Sequence, residues 1–306
     1  MNIIFGPVNS RRFGKSLGVD LSPSKKQCNF DCLYCELEPS KSIKEYQEVL
    51  SVDEIISAIS NALEIHKDIS VITVTANGEP TLYPYLYELI VEINKIKKDI
   101  KTLILSNGST INNLKVQEAL MLFDIVKLSL DCATQKCLKR LDRAYNNIDI
   151  KDIKEGMLEF REKYKNPLII EILFVKNIND KKREIEELNS FLLKLNPTRV
   201  DIGTIDRPPA YKVEALSYDE LREISLKFSS KLPIYIVSRK KVISKPSFYS
   251  ENEIIDTIKK RPLTWDDIEV LFDEKSKNII KEMLKNNQLK IVNSSGYDFF
   301  VLNSQK

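Results

Sequence analysis

A single histidine, His66, occurs in the 306 residues, and no cysteine precedes Cys28. A histidine-built metal centre is therefore excluded. His66 itself continues an apolar helical face and reads as an edge-of-core residue, not a base. No apolar run approaches the roughly 18 residues needed to cross a bilayer, so no membrane partner is expected. The opening MNIIFGPVNSRR has too short an apolar piece, followed rather than preceded by charge, to act as a secretory signal. Dominance of one charge sign is also missing: 47 Lys and Arg stand against 44 Asp and Glu, a net +3 that neither demands nor excludes a polyanion. Only five cysteines occur, three of them clustered, which argues for a reducing cytoplasm and against a disulfide framework. What is present, 42% hydrophobic and 30% charged residues, suits one large domain or a large one plus a small one.

The chain is organised around Gln27–Glu36, QCNFDCLYCE, where Cys28, Cys32 and Cys35 form a C-x3-C-x2-C array. Three thiolates this close together share one soft centre, an iron–sulfur cluster or zinc. A structural zinc wants a fourth nearby ligand, yet the next cysteine is Cys132 and the sole histidine is His66. A 4Fe–4S cluster held by three cysteines keeps one iron open to a substrate or cosubstrate. The spacing favours the cluster, with zinc and inert thiols as the alternatives.

A strand–helix alternation surrounds this loop. Ser16–Leu21 reads as a short strand feeding the cysteines, and 69–75 (ISVITVT) is a β-branched apolar run of the kind buried on both faces. Further strands are expected at 102–106, 124–130, 168–175, 199–205 and 233–238. Between them, Ser51 to Glu54 forms a capping box before a stripe of Ile55, Ile56, Ile59, Ala62 and Leu63, and Pro84 opens the next helix. Helical segments follow near 113–121, at 134–163 with a break at Asn146–Asn147, around Ile185 to Leu195, and near 217–229. Six β/α units and one extra strand predict an α/β fold, a partial (β/α)6 barrel of parallel strands over residues 1–240.

Residues 241–306 are expected to form a small second domain. Short helices at 251–260, 264–272 and 275–286 precede strands Leu289–Val292 and Tyr297–Leu302, an order that resembles a winged helix. Lys277, Lys281 and Lys285 make a stripe on the third helix, either a solvated face or a nucleic-acid contact.

In a parallel barrel the working groups sit on loops at the C-terminal ends of strands, and the candidate motifs fall there. The cysteines follow the first strand and Asn77-Gly78-Glu79-Pro80 the second; Asn107 follows the third, Ser129 and Asp131 end the fourth, and Arg207 follows the sixth. Candidate substrate contacts are Arg11 and Arg12, in a basic stretch suited to a phosphate or carboxylate, together with Lys127, which points to the same side as Ser129, and Arg207, held before two prolines. Arg143 has only a helical neighbourhood to recommend it. Cys132 and Cys137 are too few for a second cluster, and Cys132 reads as a small buried hydrophobe.

The cysteine array, with Tyr34 just before its last member, and the NGEP string at 77–80 resemble the radical S-adenosylmethionine (SAM) superfamily. The resemblance implies one 4Fe–4S cluster on Cys28, Cys32 and Cys35, with SAM on the open iron and cleaved by an electron to a 5′-deoxyadenosyl radical. It implies that, in the turn Asn77–Pro80 (Asn77, Gly78, Glu79 and Pro80), the backbone around Gly78 and the side chain of Glu79 hold the SAM ammonium, that Tyr34 lies along the adenine, and that Ser129 and Asp131 face the ribose. Asn107 takes the place of that family's Thr-Asn-Gly turn. Cys132 as a hydrogen donor to a radical is the alternative to its packing role. A reductant such as flavodoxin or ferredoxin is implied as partner, and a monomer is favoured.

Longer strings, GPVNSRRFGKSLGVDL at 6–21, TANGEPTL at 75–82, KLSLD at 127–131, FVKNIND at 174–180 and TIDRPPA at 204–210, resemble bacterial relatives of the tRNA wyosine-base synthases. Those synthases carry a second cluster on upstream cysteines, which this chain lacks. The first functional expectation is a radical SAM enzyme modifying RNA, with tRNA the favoured substrate. The second is one acting on a protein, peptide or small metabolite, and the third a non-catalytic iron–sulfur regulator.

Overall fold

The computed structural model describes residues 2–10, 13–236, 246–260, 262–294 and 297–303. Its main body is one eight-stranded sheet of β1 (Ile4–Ser10), β2 (Gly14–Asp20), β3 (Val71–Thr75), β4 (Lys101–Ser106), β5 (Ile125–Ser129), β6 (Leu168–Phe174), β7 (Arg199–Thr204) and β8 (Ile234–Ile236). Order in the sheet equals order in the chain, β2 to β8 run parallel, and β1 pairs antiparallel with β2. Helices α1 (Val52–Ile65), α2 (Leu86–Ile96), α3 (Leu114–Leu120), α4 (Gln135–Cys137), α5 (Ile150–Lys163), α6 (Lys182–Leu195) and α7 (Tyr218–Ser225) occupy the crossovers. The mostly parallel α/β architecture agrees with the sequence expectation. Parallel strands need such crossovers, and their helices cover one sheet face.

That outer face is the main core, where Ile72, Val74, Ile104, Val126, Ile170 and Ile202 meet Ile55, Leu89, Phe160 and Leu188 of the helices. The opposite face is graded. Val71, Leu103, Ile125 and Ile169 make an apolar floor near the strand starts, with Phe13 against it. Above the floor the same face turns polar: Ser16 bonds Thr73 at 2.7 Å, and Lys127 lies among Glu171 and Asp201. Working groups are thus confined to the upper, C-terminal end.

One element is added to the sequence expectation and two expectations are corrected. The opening residues form β1, which the alternation pattern does not show, because Gly6-Pro7 interrupts it and a register shift between Phe5 and Val8 absorbs the pair. The helical region at 134–163 is broken around Asn146–Asn147 as expected, but before the break it is only the short α4 and a π-helical turn Leu138–Asp142 that ends on the left-handed Arg143 (φ 48°); α5, capped by Asp149, follows. The helix after Pro84 begins at Leu86, with Tyr85 at its N-cap. The last strand of the barrel is described only as Ile234–Ile236, and residues 237–245 lie outside the described part.

A second apolar cluster, including Tyr249, Ile254, Ile268, Phe272, Ile280 and Phe300, holds the C-terminal segment. It contains α8 (Glu251–Lys260), β9 (Leu263–Thr264), α9 (Trp265–Leu271), α10 (Glu274–Lys285), β10 (Leu289–Ser294) and β11 (Tyr297–Leu302), with sheet order β10-β11-β9. The expected helix starts are present: Thr264 and Asp267 form a capping box, and Glu253 reaches back to the Ser250 amide at 2.8 Å. Tyr249 ties this segment to the sheet by donating its hydroxyl to the Pro7 carbonyl.

Candidate functional site

The cysteine loop is held at both ends by backbone pairing. Gln27 N donates to Asn77 O (2.7 Å) and Glu79 N to Gln27 O (3.0 Å), so the loop enters as a bridge to the turn after β3. Only glycine fits there: Gly78 has φ 139°, and a Cβ would lie 1.9 Å from the Gln27 oxygen. Asp20, at the end of β2, fixes the other side of this junction by accepting from Ser22 N (2.9 Å) and Asn77 N (2.8 Å). Further along, Asp31 N and Leu33 N donate to the carbonyls of Asp142 and Leu141 (3.0 and 2.9 Å), Tyr145 N to Asn29 O (2.8 Å), and Ala210 N to Cys35 O (2.8 Å).

Cys28, Cys32 and Cys35 are free thiols. Burial pushes the Cys28 thiol up to about 12 and that of Cys32 well above its ordinary value. Burial also raises Cys35, against the opposing charge of Lys26. Cys28 feels the charge of Cys35, and Cys32 that of both others, so the three face one locality. Left bare, such thiols stay protonated near neutral pH; a bound soft cation deprotonates them outright. Three convergent, charge-starved sulfurs fit an iron–sulfur cluster.

Around them stand most of the residues singled out from sequence. Glu79 is buried, and both its oxygens are engaged: Oε1 accepts from Thr81 N (2.9 Å), Thr81 Oγ1 (2.5 Å) and Ser106 Oγ (2.7 Å), Oε2 from Asn107 N (2.7 Å). Burial raises its pKa, and these bonds oppose the rise. Pro80 starts the short 3-10 turn that Glu79 caps. Asn107 donates to Asn29 Oδ1 (2.9 Å) and toward Cys28 Sγ (3.8 Å), linking the end of β4 to the loop. Tyr34, Ser129 and Asp131 line one cavity with Asn107, Phe30 and Asp142. Asp131 accepts from Leu173 N (2.6 Å) and from the Tyr34 hydroxyl, and burial pushes its carboxyl up to about 7.

The remaining candidates are placed differently. Lys127 does share the inner face with Ser129, but its ammonium is bound to Glu171 (2.5 Å) and near Asp201 (3.6 Å). Arg207 reaches the cysteine loop and pairs with Glu36 at 2.7 Å. Arg11 and Arg12 lie outside the described residues. The lysine stripe is partly engaged, since Lys277 pairs with Glu269 (2.7 Å) and Glu274 (3.0 Å). Cys132 is corrected from a lone packing residue: it is buried but bonded to Cys137 in a disulfide, which composition gave no reason to expect.

Sequence reasoning missed a clamp. Asp31, inside the cysteine loop, accepts from Tyr211 Oη (2.6 Å) and pairs with Arg143 (3.3 Å) and Lys26 (3.5 Å); the Arg143 guanidinium also lies 4.7 Å over the Tyr211 ring. Asp31 carries a signal in hindsight, an acid between two cysteines. Asp142, Arg143 and Tyr211 carry none, because only the fold brings them to the loop.

Comparison with known proteins agrees with this geometry. The Radical SAM superfamily profile matches residues 24–189, more than half of the chain. A UPF0026 protein of Helicobacter pylori is 45% identical over 303 residues, covering 97% of each chain. A GTP 3′,8-cyclase of Campylobacter jejuni is 25% identical over 235 residues, 74% of this chain and 68% of that one. Among solved structures, a radical SAM methyltransferase from Sphaerobacter thermophilus superposes with a TM-score of 0.56 at 15% identity, over 74% of this chain and 67% of that one, a likeness of fold. A 4Fe–4S cluster and SAM are the cofactors of the matched family, and its enzymes need a reductant. Triad, fold and profile agree, and the chain belongs to the radical SAM superfamily.

Proposed function

We propose that this chain is an RNA-modifying radical SAM enzyme, with tRNA the favoured substrate and a cytoplasmic site of action. With cluster and SAM bound, the site supplies a 5′-deoxyadenosyl radical by one-electron cleavage of SAM. In this reading Cys28, Cys32 and Cys35 carry the cluster. The turn Asn77–Pro80 receives the SAM ammonium through the backbone around Gly78 and the side chain of Glu79, and Tyr34, Asn107 and Ser129 line the nucleoside cavity. Flavodoxin or ferredoxin delivers the electron, and the protein works as a monomer. Residues 1–240 act as the catalytic barrel and 241–306 as a winged-helix-like accessory domain.

The observation that carries the RNA reading is the C-terminal segment. Its order α-β-α-α-β-β, with a three-stranded antiparallel sheet and its own apolar core, resembles a winged helix, a common nucleic-acid-binding form, and supports this reading. The resemblance of several strings to bacterial relatives of the wyosine-base synthases supports the same reading. The second reading, a small nucleotide substrate, is favoured by the similarity to the GTP 3′,8-cyclase.

The deciding experiment compares nucleosides of total tRNA from cells with and without the gene by mass spectrometry. Loss of one modified nucleoside supports the proposal. An unchanged profile, with purified protein whose RNA binding shows no salt dependence, favours the second reading.

A further inference from the structure

Asp142 sits in the π-helical turn, 3% exposed, and its Oδ1 accepts no hydrogen bond. Buried carboxylate oxygens are costly to leave in that state, so an orphan of this kind marks a place where a donor belongs. The side chain lines the cavity that also holds Tyr34, Phe30, Ser129 and Ile153. Its backbone is pinned, because its carbonyl accepts from Asp31 N at 3.0 Å and the next residue, left-handed Arg143, is ion-paired to Asp31. The carboxyl group also lies close enough to the Cys32 thiol for each to feel the other's charge, which puts it beside the cluster, where a cosubstrate docks.

Asp131, the acid that the sequence points to for the ribose, has both oxygens committed to Leu173 N and the Tyr34 hydroxyl. Asp142 is the other acid lining this cavity. Aromatic and aliphatic walls from Phe30, Tyr34 and Ile153 with a polar edge suit a flat heterocycle and its sugar. We propose that Asp142 directly contacts bound SAM, its Oδ1 accepting a hydrogen bond from the adenosyl half, either a ribose hydroxyl or the adenine amino group. The proposal rests on the family's use of SAM and deepens it by naming a residue outside the sequence motifs.

The test is calorimetric titration of anaerobically reconstituted, unreduced holoprotein with SAM and with its 2′-deoxy, 3′-deoxy and inosyl counterparts. Wild type is expected to bind SAM about 10-fold or more tightly than one of the three. In Asp142→Leu that preference collapses to within about 2-fold, whereas Asp142→Asn, whose amide oxygen still accepts, keeps it. The penalised analogue tells hydroxyl from amine. Because Asp142 lies close to Cys32, iron content and visible absorbance are measured on each variant first, and Asp142→Ala replaces Asp142→Leu if the latter does not hold its cluster. Equal binding of all four compounds by wild type, or a preference that survives removal of the carboxylate, overturns the proposal. Wild-type holoprotein that binds none of the four overturns the cosubstrate assignment itself, a distinguishable result.

Discussion

The carbonyl oxygen of Gln27 occupies the space where Gly78 would carry a side chain, 1.9 Å from an ideal Cβ. The approach joins the cysteine loop to the NGEP turn, and φ 139° at Gly78 is closed to other residues without strain. Gly78→Ala is therefore expected to displace the loop. Iron bound after anaerobic reconstitution should fall several-fold while far-ultraviolet circular dichroism stays near wild type. Normal iron content in this variant would contradict the proposed coupling.

The clamp on Asp31 gives a second expectation. This buried acid serves Tyr211, Arg143 and Lys26 together. Asp31→Ala strands three partners, and a clear fall in the urea-unfolding midpoint is expected from removing the buried acid that they share. Tyr211→Phe removes a single, more exposed hydrogen bond and should lower the unfolding midpoint by less than Asp31→Ala does. Equal effects from the two would show that the network does not act through Asp31.

Asp131 makes the stability depend on pH in a stated direction. Burial raises its folded carboxyl to about 7, above the ordinary value near 4 of an unfolded chain. Its contribution is complete below the unfolded value and is lost as pH rises through about 7. The stability of cluster-free wild type relative to Asp131→Asn should decline between about pH 4 and 7 and level off above. A difference that is constant, or that grows with pH, would contradict the placement of Asp131.

The Cys132–Cys137 bond predicts a thiol count. Denatured, cluster-free protein should alkylate at three cysteines without reductant and at all five after reduction. Five reactive thiols before reduction in protein purified without reductant would show the pair to be open.

Legibility from sequence followed the range of the interactions. The strands at 71–75 and 168–174 announce themselves because burial on both faces demands unbroken β-branched and aliphatic runs. The cysteine triad and Gly78 are legible because their chemistry is local. The strand Ile4–Ser10 is not, since Gly6-Pro7 breaks its pattern and only pairing with β2 restores it. The left-handed Arg143 and the orphaned Asp142 lie in a segment whose composition reads as an ordinary helix, and their purpose is visible only once the loop of Cys28–Cys35 is packed against them. Lys127 shows the converse: its face was legible from strand parity, but its partners Glu171 and Asp201 come from two neighbouring strands.

The most direct test of the account is electron paramagnetic resonance of the reduced, reconstituted protein with and without SAM, combined with chromatographic detection of 5′-deoxyadenosine. About four irons per chain, a reduced-cluster signal that changes when SAM is added, and 5′-deoxyadenosine that disappears in Cys28→Ala, Cys32→Ala or Cys35→Ala are predicted. A signal indifferent to SAM, with no 5′-deoxyadenosine formed by wild type, would contradict it.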